Sequence, residues 1–286
     1  MPSTSPTVRQ RELGRRLRIL RNEHNLTVED VGDKLLCSAT KISRLETGAR
    51  RPSLRDVRDL CTLYEVDELT SAELMDLARG AREQTWWTQY EDLNLDPYLG
   101  LEQDAIAITS CTTHLFPALL QTEEYARSVI KAIAPKMDPD IYKERVEARM
   151  LRQQRVLERD RPPRYRVLLD EAVLHRHVGS PALMVAQLDK VLTAVSNDKA
   201  TIQVIPFEVG VHASQDSNFI LFELEEGSGN PPVVFVEGLT GNQYHERKTD
   251  IARYREAIEL LRDSALSPRD SVEYMAKIRE QVHRSN

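Results

Sequence analysis

Residues 41–53 read KISRLETGARRPS. Ile42 and Leu45 are spaced for one side of a short helix, Gly48 follows as a left-handed stop, and Pro52-Ser53 opens another helix. Ser38 is a capping residue ahead of the string, so the spacing predicts a helix from Ser38 to Glu46. Upstream, Leu13, Leu17 and Leu20 recur at helical spacing among basic residues, which predicts an amphipathic helix from Arg9 to near Asn25. Thr27 caps a second helix of about two turns, with Asp30 as an imperfect capping box and Val31 and Leu35 as its apolar face. Downstream, Leu54, Val57, Leu60, Cys61 and Tyr64 mark the buried side of a fourth helix. Leu74, Leu77 and Ala81 predict a fifth over 70–82. Two short helices joined by a tight turn and braced by others make a helix-turn-helix arrangement.

Charge divides the chain in the same place. The formal net charge of the 286 residues is -6, yet residues 1–64 hold 13 Lys+Arg against 8 Asp+Glu, a net +5, and the rest carries -11. A basic small domain joined to an acidic larger one fits a phosphate-binding module attached to a part that does not bind phosphate. No window reaches the apolar length of a membrane span, and no signal-peptide pattern opens the chain, so the cytoplasm is the expected location. Cys37, Cys61 and Cys111 are odd in number and widely spaced, which speaks for reduced thiols rather than a disulfide framework or a zinc ribbon.

The string from Lys41 to Ser53 resembles the xenobiotic-response-element class of bacterial and phage helix-turn-helix regulators, and the resemblance extends over residues 9 to about 70. It implies that Ala39, Thr40, Ser43 and Arg44 face base edges, with Thr27 and Ser38 also at the DNA interface. Arg44 is the best reader, because a guanidinium bonds O6 and N7 of guanine together. Thr40 and Ala39 offer methyl groups to thymine, and Lys41, Arg50 and Arg51 neutralise phosphates. Val28 stands where relatives often carry Gln, a departure at one phosphate contact. The resemblance also pairs Glu46 with an arginine of the first helix, here Arg21, as a partly buried structural ion pair.

After the adjacent Trp86 and Trp87, one of which is expected to anchor the connection, the pattern alternates. Extended stretches are expected near Ile106–Ile108 and at 166–169, 201–207, 219–224 and 233–237. Helices are expected to start at Thr122, Asp138-Pro139, Ser180-Pro181 and Ser267-Pro268. The expected fold class is therefore α+β. A five-helix, all-α helix-turn-helix domain occupies 1–82, a connector 83–100, and 101–286 form a mixed α/β domain with a small sheet flanked by helices.

The strings FPALLQTEEYAR, EARMLRQQRVL, LLDEAVLHRHVG, QVIPFEVGVH and VVFVEG resemble the C-terminal domain of actinobacterial WhiJ-like, antitoxin-like regulators. Ala118 stands where that family usually has Gly, which bears on a turn needing positive φ. No phosphate loop, nucleophile elbow, zinc-protease helix or Cys-x-x-Cys is present, so no catalytic residue, metal or cofactor is expected. His175 and His177 could join His212 or Glu171 around a metal only without a fourth ligand at fixed spacing. Glu171, His212 and Glu237 lie near strand ends within the shared strings, and with Gln187 they are a candidate pocket for a ligand or partner. The rival reading is that each satisfies local backbone groups or an ion pair.

The two resemblances together imply a regulator acting as a homodimer on a pseudo-palindromic double-stranded DNA operator, controlled through its C-terminal domain by a small-molecule effector or a protein. The alternative is an antitoxin-like protein whose main role is holding a small acidic partner protein, with DNA binding for autoregulation.

Overall fold

The computed structural model describes residues 6–83, 85–90, 96–225, 231–238 and 241–284. The chain divides into two compact units, Met1–Asp104 with Glu225–Asn230 and Ala105–Leu224 with Pro231–Asn286. Residues 84 and 91–95 of the expected connector lie outside the described residues.

The first unit is helical: α1 (Pro6–Glu23), α2 (Val28–Lys34), α3 (Ala39–Glu46), α4 (Leu54–Leu63), α5 (Glu68–Gly80), a 3-10 turn at Trp86–Gln89, and α6 (Asp96–Asp104). Its core joins Leu13 and Leu17 of α1 to Val31, Ile42, Leu45, Leu60 and Leu74, one stripe from each of the first five helices. The caps explain where those helices begin. Thr27 and Ser53 form complete capping boxes with Asp30 and Asp56, so the aspartate that looked imperfect in sequence closes its box. Asp67 caps α5, which starts at Glu68, two residues before the expected Thr70, its carboxylate accepting from Thr70 N–H at 2.9 Å.

The helix stops were less visible. Asn25, Leu36 and Glu65 hold φ of 54°, 52° and 49° just past α1, α2 and α4. The following N–H reaches back to the last turn each time: Leu26 to Arg21, Cys37 to Gly32, and Val66 to Cys61. This is the glycine-type helix stop built with side chains that the left-handed region disfavours by roughly 1 to 2 kcal/mol each. Gly48, also left-handed at φ 68°, is a stop that composition reveals directly.

The second unit is built on one mixed sheet. In chain order it runs β1 (Ala107–Thr112), α7 (Glu123–Ile133), α8 (Pro139–Leu157), β2 (Arg164–Asp170), α9 (Ala172–His175), α10 (Pro181–Ser196) and β3 (Thr201–Ile205). There follow β4 (Phe219–Glu223), β5 (Val233–Val236), β6 (Gln243–His245), α11 (Lys248–Ser264) and α12 (Pro268–Arg284). The strand order is β3-β2-β1-β4-β5-β6; β1, β2 and β3 are parallel, and the remaining pairs are antiparallel. The architecture is α+β, with helices flanking the sheet. Val167, Leu168 and Leu169 are all buried, so β2 has covered faces on both sides, while Leu168 shares a core with Ile251, Ile258 and Leu261 of α11.

Three local differences from expectation have physical causes. The expected strand over 201–207 ends at Ile205, and Phe207–Val209 forms a 3-10 turn after Pro206. β6 is three residues long, too short for alternation to register. Ala118 opens a 3-10 turn, Ala118–Leu120, behind Pro117 at φ -57°, and needs no positive φ. The outer edge of β3 is sealed by the α11–α12 connection: Leu266 N–H donates to Val204 O at 2.8 Å, and Val204 N–H donates to Ser271 Oγ at 2.9 Å.

Candidate functional site

The geometry of α3 separates two kinds of residue. Ile42, Leu45 and Glu46 are buried, whereas Ser38, Thr40, Ser43 and Arg44 are exposed and Ala39 is half-buried. At about 100° per residue, Thr40 and Arg44 stand one turn apart on the outward side. Among the described residues the Arg44 guanidinium has neither a hydrogen bond nor an ion pair, and the same holds for exposed Arg50. Arg51 is also exposed. Ser38 caps the helix by accepting from Lys41 N–H at 3.2 Å. Thr27 is exposed, but its hydroxyl donates to Asp30 Oδ2 at 2.6 Å while accepting from Asp30 N–H, so a phosphate approaching it meets a carboxylate.

Three neighbours set the position of this helix. Arg21 grips Glu46 with both arms of its guanidinium, Nε to Oε1 at 2.6 Å and Nη2 to Oε2 at 3.0 Å, and its third nitrogen donates to Leu26 O at 2.6 Å. The side chains are 12% and 5% exposed, so each charge is largely removed from water and depends on the other. The hydrogen bond to Glu46 raises the Arg21 pKa further, and burial together with the Glu46 charge pushes the nearby Tyr64 phenol upward.

The second neighbour is Gly14, where an added Cβ would lie 2.5 Å from Leu45 O and 2.7 Å from Glu46 O; the end of α3 rests directly on the backbone of α1. Gly32 does the same for the start of α3, with Cys37 O at 2.7 Å from a built Cβ. The third neighbour is Asp56 of α4, whose Oδ1 lies 2.5 Å from Lys41 Nζ. None of Gly14, Gly32 and Asp56 was singled out from sequence. Signals existed: a glycine inside a helical apolar pattern, and Ser53-x-x-Asp56 at capping-box spacing.

In the sheet unit the four candidate residues go to different places. Glu171 directly follows β2 at the carboxyl edge of the parallel strands and ties four segments together. Its Oε1 accepts from Tyr274 OH at 2.6 Å and meets His175 Nε2 at 3.1 Å, while Oε2 accepts from Phe207 N–H at 2.8 Å. Burial and this carboxylate push the Tyr274 phenol up to about 12. His212 is beside it, bonded through Nε2 to Asp170 Oδ2 at 2.8 Å; Nδ1 faces Ser214 Oγ at 3.2 Å and the Ser214 N–H at 3.4 Å. A backbone N–H can only donate, so Nδ1 accepts and Nε2 carries the proton given to Asp170. The Asp-His-Ser order invites a nucleophile reading, but Ser214 is 1% exposed and its hydroxyl closes a two-residue turn.

Gln187 is fully buried and serves a different segment. Its Oε1 accepts from Thr122 N–H at 2.7 Å and its Nε2 donates to Leu120 O at 2.8 Å. Gln153 and Lys190 complete the same clamp on the 118–122 segment: Gln153 Nε2 donates to Ala118 O and Gln121 O, and Lys190 Nζ donates to Gln121 O and Gln153 Oε1. Burial draws the Lys190 pKa downward. Glu237 is exposed beyond the end of β5. The structure thus brings Glu171 and His212 to one strand end, and bonds neither of them to Gln187 or Glu237.

Comparison with known proteins gives two family matches. Residues 12–74 match a family model described as a helix-turn-helix domain. Residues 95–277 match one described as a domain of unknown function, DUF5753. No curated protein and no solved structure matches the chain. Among the described residues no helix is long and apolar enough to cross a membrane. With its helix-turn-helix domain in front and the second match covering well over half of its length, the chain belongs to the DUF5753 family.

Proposed function

We propose that this chain is a sequence-specific transcriptional regulator of the xenobiotic-response-element class, of the WhiJ-like kind, which binds a pseudo-palindromic operator as a homodimer. The observation that carries the reading is α3 itself: Thr40, Ser43 and Arg44 are exposed on a helix whose opposite side is buried and bonded to α1 and α4. A side chain already held by the protein is a poor reader of bases, and Arg44 is held by nothing among the described residues. In a dimer two such helices would sit about 34 Å apart on one face of the duplex.

The C-terminal unit is read as controlling by binding rather than by catalysis. What supports this is that its most catalytic-looking array ends in a buried serine whose partners are all within its own loop and strand end.

The test is selection of bound duplexes from a randomised pool, followed by titration of wild type and Arg44→Ala on the selected site. The variant is expected to lose roughly 1 to 3 kcal/mol of specific binding and to relax its choice at one base pair. Unchanged affinity and unchanged base preference would remove Arg44 from the interface.

A further inference from the structure

Lys41 is the third residue of α3, on the flank of the helix between buried Leu45 and outward Arg44. A lysine there, on a helix that enters a groove, has the reach to neutralise a phosphate. Its ammonium is already engaged: Nζ lies 2.5 Å from Asp56 Oδ1, with the two side chains only 25% and 18% exposed. Asp56 is itself immobilised. Its N–H donates to Ser53 Oγ at 3.0 Å, and its second carboxylate oxygen accepts from Ser53 N–H at 3.4 Å, closing the capping box of α4. Burial would raise this carboxyl, but the Lys41 and Ser53 bonds outweigh it and hold the group in its charged form. Arg44 and Arg50, by contrast, are exposed and unengaged among the described residues.

We propose that Asp56 withholds Lys41 from DNA phosphates and is thereby a specificity-determining residue. Non-specific affinity scales with the number of phosphates a protein neutralises, whereas base reading does not. Keeping one cation of the recognition helix tied to α4 lowers the sequence-independent grip and leaves Arg44 to discriminate. The inference rests on the reading of α3 as the groove helix.

The experiment measures binding of the full chain to a short duplex of random sequence across a range of salt concentrations. The proteins are wild type, Asp56→Asn, Lys41→Met, the double variant, and Asp33→Asn, which removes an exposed acid of α2 as a charge control. Each phosphate contact contributes about 0.9 to the slope of log affinity against log salt. Asp56→Asn, which keeps an acceptor for Ser53, is expected to steepen the slope by about that amount and to tighten binding at low salt. Lys41→Met is expected to leave the slope at the wild-type value. In the double variant the steepening should vanish, and Asp33→Asn should not reproduce it.

A slope shallower by about 0.9 in Lys41→Met would place that ammonium on a phosphate already and overturn the proposal. So would an unchanged slope in Asp56→Asn, or a steepening that persists without Lys41 or is matched by Asp33→Asn. If Asp56→Asn does not fold, Lys41→Met still exposes the proposal to refutation through a shallower slope. A wild-type protein with no salt-dependent affinity for duplex DNA would take the groove-helix reading down as well, an outcome distinct from the others.

Discussion

The helix-turn-helix unit and the sheet unit use polar side chains in opposite ways. On α3, Thr40, Ser43 and Arg44 are exposed, and the Arg44 guanidinium is unengaged among the described residues. At the sheet, Glu171, His212 and Gln187 are inward and consumed by the protein's own groups, down to single backbone N–H and C=O partners. Arg44, Glu171 and His212 all sit in recognisable strings, so occurrence in a motif does not separate the two sets. What does is whether the hydrogen-bonding capacity of a side chain is already spent, because a group satisfied inside the fold must lose those bonds before it can serve a ligand.

The comparison can be broken most forcefully at Glu46, the inward acid of the outward helix. Arg21→Met leaves a carboxylate that is 5% exposed without its cation, and should cost about 3 to 5 kcal/mol in urea unfolding. A loss under about 1 kcal/mol would mean that α3 is not held this way, and the division between readers and supports on that helix would fail. Gln187→Leu comes next. It strands Leu120 C=O, worth about 1 to 3 kcal/mol when buried, and the half-buried Thr122 N–H, worth about 1, so about 2 to 4 kcal/mol of stability should go, with DNA affinity intact at permissive temperature. Intact stability with altered effector or partner response would instead make Gln187 a ligand group.

Arg44→Ala sharpens the contrast from the other side: its binding loss should come with a stability change within about 0.5 kcal/mol. Glu237→Ala should have the smallest effect, also within about 0.5 kcal/mol by thermal unfolding, since the side chain is exposed beyond its strand.

The parts legible in the sequence share a physical feature: they depend on neighbours along the chain. Helix starts at Thr27, Ser38, Ser53 and Thr122 are written in capping residues, and the apolar stripes Leu13–Leu17 and Val57–Leu60 show at helical spacing. Helix ends at Leu36 and Glu65 were less legible than the one expected near Asn25. Leu36 and Glu65 are left-handed without being glycine, and each stop is closed by the following N–H reaching back to the last turn. The close seat at Gly14 and the Lys41–Asp56 pair join partners 15 to 32 residues apart, and the seat at Gly32, whose partners are 5 to 7 residues away, is set by how α2 and α3 cross. Residue type alone does not reveal such meetings. The role of Gln187 was hidden for the same reason, since its partners are 65 and 67 residues away.

By itself, the stretch KISRLETGARRPS determined that a short helix lies between Ser38 and Glu46, because capping, apolar spacing and the glycine stop act within a few residues of one another. It also determined which of its side chains bury and which stay out, since a period of 3.6 residues follows from backbone geometry alone. Only the tertiary structure decided what those side chains are left free to do. Lys41 and Arg44 are both cations of one helix, and a carboxylate from α4 reaches the first and not the second. That distinction depends on how two helices cross in space, which the order of residues along either one does not contain.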